Sequence, residues 1–159
     1  MKRIALILSL CAVMPLLGGC GELPTGAGQP VAFRIVASAG LTVYAPSQRT
    51  EVIKTPEEWQ RVWSEVHPAD LAAAPLPPID FQREAVLFVA RGRQPDSCHG
   101  IQIAGVNRAG GRTEVIVTLS DVEGNCGCLQ AVTYPIEAVA IPATGDSVHF
   151  TLRRGSKHC

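Results

Sequence analysis

Apolar positions along this chain change character several times, and each change marks an element. Ile4 to Leu17 is an apolar run broken only by Ser9 and Pro15. From Val31 onward, short alternating or solid apolar segments are separated by Gly, Pro, Asn and Asp, the pattern of strands and turns. Ala32–Ala37, Leu41–Tyr44 and Glu51–Lys54 each predict a short strand. A helix start follows at Thr55-Pro56-Glu57-Glu58. Thr55 suits the N-cap, Glu58 stands at N3 to complete a capping box, and Pro56 falls at N1, where a missing N–H does no harm. Trp59, Val62, Trp63 and Val66 then recur at i, i+3, i+4 and i+7, so both tryptophans lie on the core side of the helix. Pro68 and the Ala/Pro-rich stretch to Pro78 end it in a surface loop.

Ala85–Ala90 is continuously apolar, as befits a central strand buried on both faces. Ile101 and Ile103 alternate with Gln102, and Thr113, Val115, Val117 and Leu119 line one face of a returning strand after the Ala109-Gly110-Gly111 turn. Ile136–Ile141 and Val148–Leu152 predict a second pair, joined through Pro142 and the Thr144-Gly145-Asp146 turn. The expectation is an α+β fold: a mainly antiparallel β-sheet of about six to eight strands with one amphipathic helix. A single domain spans 31–159.

The N-terminus adds an address. Met1-Lys2-Arg3 is a short positive segment before the apolar run. That run is about fourteen residues long, whereas a membrane-crossing helix needs roughly twenty. Residues 1–19 therefore read as an export signal. The run closes on Leu17-Gly18-Gly19-Cys20, which resembles the lipobox of bacterial lipoproteins: an aliphatic residue, two small ones, and a cysteine that takes the lipid. Cys11 is no rival, because Leu10 before it is too bulky for that position. Lipidation at Cys20 implies anchoring to a lipid bilayer. Gly21 after it favours the outer membrane, facing the periplasm or the cell surface. The Gly/Pro-rich remainder of 20–30 reads as a flexible tether.

Composition narrows the function classes. The chain has 159 residues, 47% of them apolar and 18% charged, with a formal charge of zero before Lys2 and Arg3 leave with the signal. The balance then turns slightly acidic, and no basic strip interleaved with aromatics is present, which excludes nucleic acid as a partner. The sequence contains no Gly-x-Ser-x-Gly elbow, His-Glu-x-x-His helix, phosphate-binding loop or dinucleotide fingerprint. A catalytic carboxylate pair of Asp80 with Asp121 lacks anything to bring the two together. No catalytic residue and no cofactor are assigned.

Several short motifs in order carry a family resemblance. They are Thr55-Pro56-Glu57-Glu58-Trp59, Ile79-Asp80-Phe81 leading into Ala85–Ala90, Gly92, a polar loop ending in Gly100, Ile101-Gln102-Ile103, and Thr133-Tyr134-Pro135. Together they resemble the PrcB C-terminal domain family, accessory lipoproteins of a bacterial surface protease complex. The resemblance covers about Val52 to Leu152 and implies a non-catalytic domain that binds and stabilises a partner protein, an envelope protease. The family loop usually runs Pro-Thr-Gly-Gly-Tyr. Here it is Pro95-Asp96-Ser97-Cys98-His99-Gly100-Ile101, with a Cys-His pair in place of the aromatic. Asp96 and His99 in this loop are the candidate partner-binding residues.

With Cys11 removed and Cys20 acylated, Cys98, Cys126, Cys128 and Cys159 remain. In an oxidising envelope these read as two disulfides, for which sequence alone allows three pairings. The layout implied by the resemblance sets the Cys98 loop near the Cys126–Cys128 loop. It favours one bridge between those loops and leaves the remaining thiol to Cys159. Two alternatives accompany this reading. Stapled loops could act as a protease inhibitor, and Cys98, His99, Cys126 and Cys128 carry the donor atoms of a zinc or copper(I) site. A redox role for Cys126-Gly127-Cys128 and a calcium loop begun by Asp121, Glu123 and Asn125 both depart from the usual spacing. His67, His149 and His158 read as surface histidines.

Overall fold

A computed structural model describes residues 28–68, 74–124 and 126–158. In chain order the elements are β1 (Gln29–Pro30), β2 (Arg34–Ala39), β3 (Gln48–Ile53), α1 (Pro56–Val66) and β4 (Glu84–Arg91). Then come β5 (His99–Ala109), β6 (Arg112–Glu123), β7 (Ile136–Pro142) and β8 (Ser147–His158). They form two four-stranded sheets, ordered β1-β5-β6-β8 and β2-β7-β4-β3. Every pairing is antiparallel except β6 with β8. The class expected from sequence, α+β with a mainly antiparallel sheet, is the class observed.

Strand parity explains the three layers. On β4, Val86, Phe88 and Ala90 pack with Trp59, Val62 and Val66 of α1. The alternate residues Ala85, Leu87 and Val89 face Ile101, Ile103, Val115 and Val117 of the other sheet. β7 divides in the same way, with Ala138 toward the helix and Val139 and Ile141 toward the opposite sheet. The second sheet is thus sandwiched between helix and first sheet. Both of its central strands must be apolar on each face, which is why Ala85–Ala90 lacks alternation.

The helix starts as its sequence requires. Thr55 Oγ1 accepts the Glu58 N–H at 3.2 Å, and Glu58 Oε2 accepts the Lys54 N–H at 2.8 Å. Pro56 occupies the first turn. The two indole N–H groups tie the following loop to α1: Trp59 donates to Pro77 O and Trp63 to Ala74 O, each at 3.0 Å. Trp59 is 1% exposed, so Trp59→Ala would cost about 3–5 kcal/mol through the cavity and the lost anchor.

Four local expectations differ from the structure. Leu41–Tyr44 is not a strand. Val43 and Ala45 are buried with a period of two, but the backbone joins no ladder; Tyr44 N–H instead bonds Val66 O at the helix end, 2.9 Å away. Ile136–Ile141 and Val148–Leu152 are not a pair. β7 lies between β2 and β4, whereas β8 crosses to the other sheet and runs parallel to β6. The cause is burial: β7, apolar on both faces, fits only an interior position, and the half-polar β8 fits an edge. Strands β2 and β3 are displaced along the chain from the expected Ala32–Ala37 and Glu51–Lys54. Gln29–Pro30, the end of the expected tether, pairs with Asn107 and Arg108.

Among the described residues no helix is long and apolar enough to cross a membrane. The signal segment and Cys20 lie outside the described residues.

Candidate functional site

At one end of the sandwich, loops from both sheets are bound together. Gln94 and Thr133 exchange backbone bonds of 2.8 and 3.1 Å. Ser97 N–H reaches Leu129 O at 3.1 Å, while Ser97 Oγ accepts the Leu129 N–H at 2.8 Å. Thr133 Oγ1 donates to Asp96 O, also at 2.8 Å. A disulfide between Cys98 and Cys128 closes this short ladder, with Cα atoms 5.4 Å apart. The bridge between the two loops, which the family resemblance implied, is therefore present. Cys126 is disulfide-bonded as well, and Cys159 lies outside the described residues.

Beneath the loops lies a polar cluster built on a buried arginine. Arg91, the last residue of β4, is 7% exposed. Its Nη1 donates to Gly100 O at 2.8 Å and Ser120 O at 2.7 Å, and its Nη2 donates to Asp121 Oδ1. His99 Nδ1 stands 2.6 Å from the same carboxylate oxygen. Since a carboxylate only accepts, Nδ1 carries the proton. The hydrogen bond from His99, followed by that from Arg91, holds the Asp121 carboxyl below the usual aspartate range, against the opposing effect of burial. Asp96 Oδ1 accepts the Cys98 N–H at 2.8 Å and lies 3.6 Å from His99 Nε2, beyond hydrogen-bond reach. Both loop candidates, Asp96 and His99, are thus partly buried and engaged in holding their loop.

Other candidates separate. Asp80 pairs with Arg83 at 2.7 Å beside the start of β4, while Asp121 sits at that strand's other end, so the two carboxylates share no site. Asp96, Cys98 and Cys128 are the one group among the described residues with metal-ligand spacing. The two sulfurs of that group are bonded to each other and Cys126 is oxidised too, so the Cys/His donor set considered for zinc or copper is not assembled. Asp121 is committed to Arg91 and His99, which takes the first position out of the calcium-loop pattern.

The surface around the staple is apolar. Seven large hydrophobic residues are exposed among the described ones, and four of them lie here. Leu41 (56%) and Tyr44 (47%) belong to the segment after β2, Leu129 (55%) and Val132 (39%) to the stapled loop. Gly40 O accepts the Tyr134 N–H at 2.7 Å and the Tyr44 and Tyr134 rings stand 5.2 Å apart, so the two segments adjoin. Between them opens a cleft of about 470 Å³ lined by Ser38, Leu41, Thr42, Ser97, His99, Thr133 and neighbouring backbone. Sequence reading missed this patch because Leu41 and Tyr44 were assigned to a strand. It also missed Arg91, whose only signal is a charge directly following a solid apolar run.

No protein-family model, curated protein or solved structure matches the chain.

Proposed function

We propose that this protein is a non-catalytic lipoprotein of the cell envelope that binds and stabilises a partner protein, an envelope protease. Cys20 carries its lipid anchor, most naturally in the outer membrane. The observation that carries the reading is the gathering of Leu41 and Tyr44, on the segment after β2, with Leu129 and Val132, on the loop held by the Cys98–Cys128 bridge. Contiguous apolar surface rimmed by polar groups marks protein contact sites, and a rigid loop loses little conformational entropy on docking. The resemblance to the PrcB C-terminal domain points the same way. The rigidity of the staple also suits the second reading, inhibition of the protease by the same loops.

The test is capture of partners from cross-linked native envelopes by the tagged full chain and by its Leu41→Asp/Leu129→Asp variant. The proposal expects a protease with the parent chain and at least tenfold less with the variant, whose melting temperature should be unchanged. Equal capture by both, or nothing above background, would sink it. Mixing the chain with the recovered protease then separates the readings, activity rising for a stabiliser and falling for an inhibitor. Cys20→Ala should abolish detergent-phase partitioning; a variant that still partitions refutes the anchor.

A further inference from the structure

Strand β8 closes the first sheet, and its outer edge meets no other strand among the described residues. The other edges are poor templates. β1 is two residues long and ends in Pro30, which has no N–H to offer. β2 is interrupted by an irregularity between Ile35 and Ala37. β3 is six residues long, and its Arg49 and Glu51 are engaged in ion pairs that reach α1. By contrast β8 has 12 residues in unbroken register with β6, from Ser147 opposite Arg112 to His158 opposite Glu123. At about 3.3 Å per residue this is an edge roughly 40 Å long. Half of its backbone N–H and C=O groups point away from β6.

The C-terminal half of that edge is basic: Arg153, Arg154, Lys157 and His158, all exposed. Arg154 approaches Asp121 at 4.0 Å and His158 approaches Glu123 at 3.5 Å. Arg153 and Lys157 share a face of the strand by parity, and neither forms an ion pair within 4.0 Å among the described residues. Gly155 stands between them and leaves the strip open to a close-lying chain. A second copy pairing antiparallel along the whole edge would bring Arg153 and Arg154 of the two copies together at its middle, which disfavours self-association. The same charges favour a strand bearing carboxylates.

We propose that the free edge of β8 is a docking site for an extended acidic segment of a partner protein, taken up by strand addition. Main-chain bonds to β8 supply the affinity, and carboxylates opposite Arg153 and Lys157 supply the selectivity. The site adjoins the loop end, where Arg154 lies 4.0 Å from Asp121 and His158 3.5 Å from Glu123, but it uses main-chain and charged groups and not the apolar side chains of that surface.

The test is hydrogen exchange of the purified full chain in neutral detergent. One sample receives a blocked ten-residue peptide of alternating Glu and Val, a second its Lys counterpart, and a third vesicles of anionic phospholipid. The Glu peptide should slow exchange across 148–158 by about tenfold or more, and the Lys peptide should not. Arg153→Glu/Lys157→Glu should weaken peptide binding at least tenfold while exchange in β5 and β6 without peptide stays as in the parent. If that variant folds poorly, Arg153→Gln/Lys157→Gln should show a smaller loss in the same direction. No slowing in β8, or equal slowing by both peptides, overturns the proposal. So does slowing by vesicles alone, which would assign the basic edge to the membrane surface.

Discussion

Glu137 Oε2 on β7 accepts the backbone N–H of Ile103 on β5, 2.5 Å away across the space between the two sheets. The bond falls where the β5–β6 register shifts, between Ile103 and Gly105. An irregular ladder leaves an amide in need of an acceptor, and a carboxyl that is 5% exposed answers it from the opposite sheet. Burial raises the Glu137 pKa above the ordinary 4.5, and the Ile103 bond only partly opposes this.

A raised carboxyl pKa has a definite sign in stability. Below pH 4.5 Glu137 is protonated in both folded and unfolded chains. Above it, the unfolded chain releases a proton that the folded chain still holds, so the stability contributed here falls with rising pH. It levels off above the folded pKa. Glu137→Gln keeps an acceptor for Ile103 but cannot titrate. Urea unfolding between pH 4 and 8 should therefore show a decline in the parent that is flatter in this variant. Identical pH slopes would refute the account.

Arg91 acts as a buried clasp, tying the end of β4 to the carbonyls of Gly100 and Ser120 and to Asp121. Arg91→Met removes the guanidinium from two carbonyls and from Asp121, which keeps only the His99 hydrogen bond, and should cost about 3 kcal/mol. Arg91→Lys should recover only part, because an ammonium cannot reproduce the fork. The Asp121 carboxyl titrates in the opposite sense to Glu137. Its lowered pKa, set first by His99 and then by Arg91, gives stability that is present above pH 3.8 and lost as pH falls through the folded value. Acid titration should unfold Asp121→Asn with a shallower dependence than the parent.

Removing the staple should be costly. Cys98 and Cys128 are separated by 30 positions. The chain-entropy argument for a loop of that length gives about 3–4 kcal/mol. Cys98→Ser/Cys128→Ser should lower the unfolding free energy by that amount in denaturant titration. A loss under about 1 kcal/mol would mean that the ladder of Gln94, Ser97, Leu129 and Thr133 holds the loops by itself.

Gly92 follows β4 with φ +85°, and a Cβ there would come within 2.9 Å of the Gln48 backbone nitrogen. Gly92→Ala combines a left-handed backbone with a main-chain clash and should destabilise by about 2 kcal/mol. Gly111→Ala, with φ +75° but no neighbour within 4 Å, should cost less. Thermal melts of the pair would separate the conformational penalty from the steric one.

Side-chain patterns revealed faces far better than partners. The capping box at Thr55, the stripe from Trp59 to Val66 and the two-sided burial of Ala85–Ala90 could all be read locally, because each depends on periodicity within one element. The hairpin assigned to Ile136–Ile141 and Val148–Leu152 failed because alternation says which residues are covered, not which strand lies beside them. Residues Arg153–His158 escaped notice as strand because an edge with little burial carries no apolar signature. Of the candidate site, the cysteines were legible, whereas the exposed patch of Leu41, Tyr44, Leu129 and Val132 depends on two distant loops meeting.

The order of strands β2-β7-β4-β3 also governs when this chain can fold. Arg34 of β2 pairs with Ala140 of β7, a partner roughly a hundred residues downstream. A chain emerging from its N-terminus can form the β3–α1–β4 unit and the β5–β6 hairpin before β7 is made, but β2 has no strand to join until β7 arrives. Completion of the second sheet is therefore non-local and waits on β7 to fill the position between β2 and β4. The sheet that backs the helix can thus be closed only when nearly the whole domain has been made.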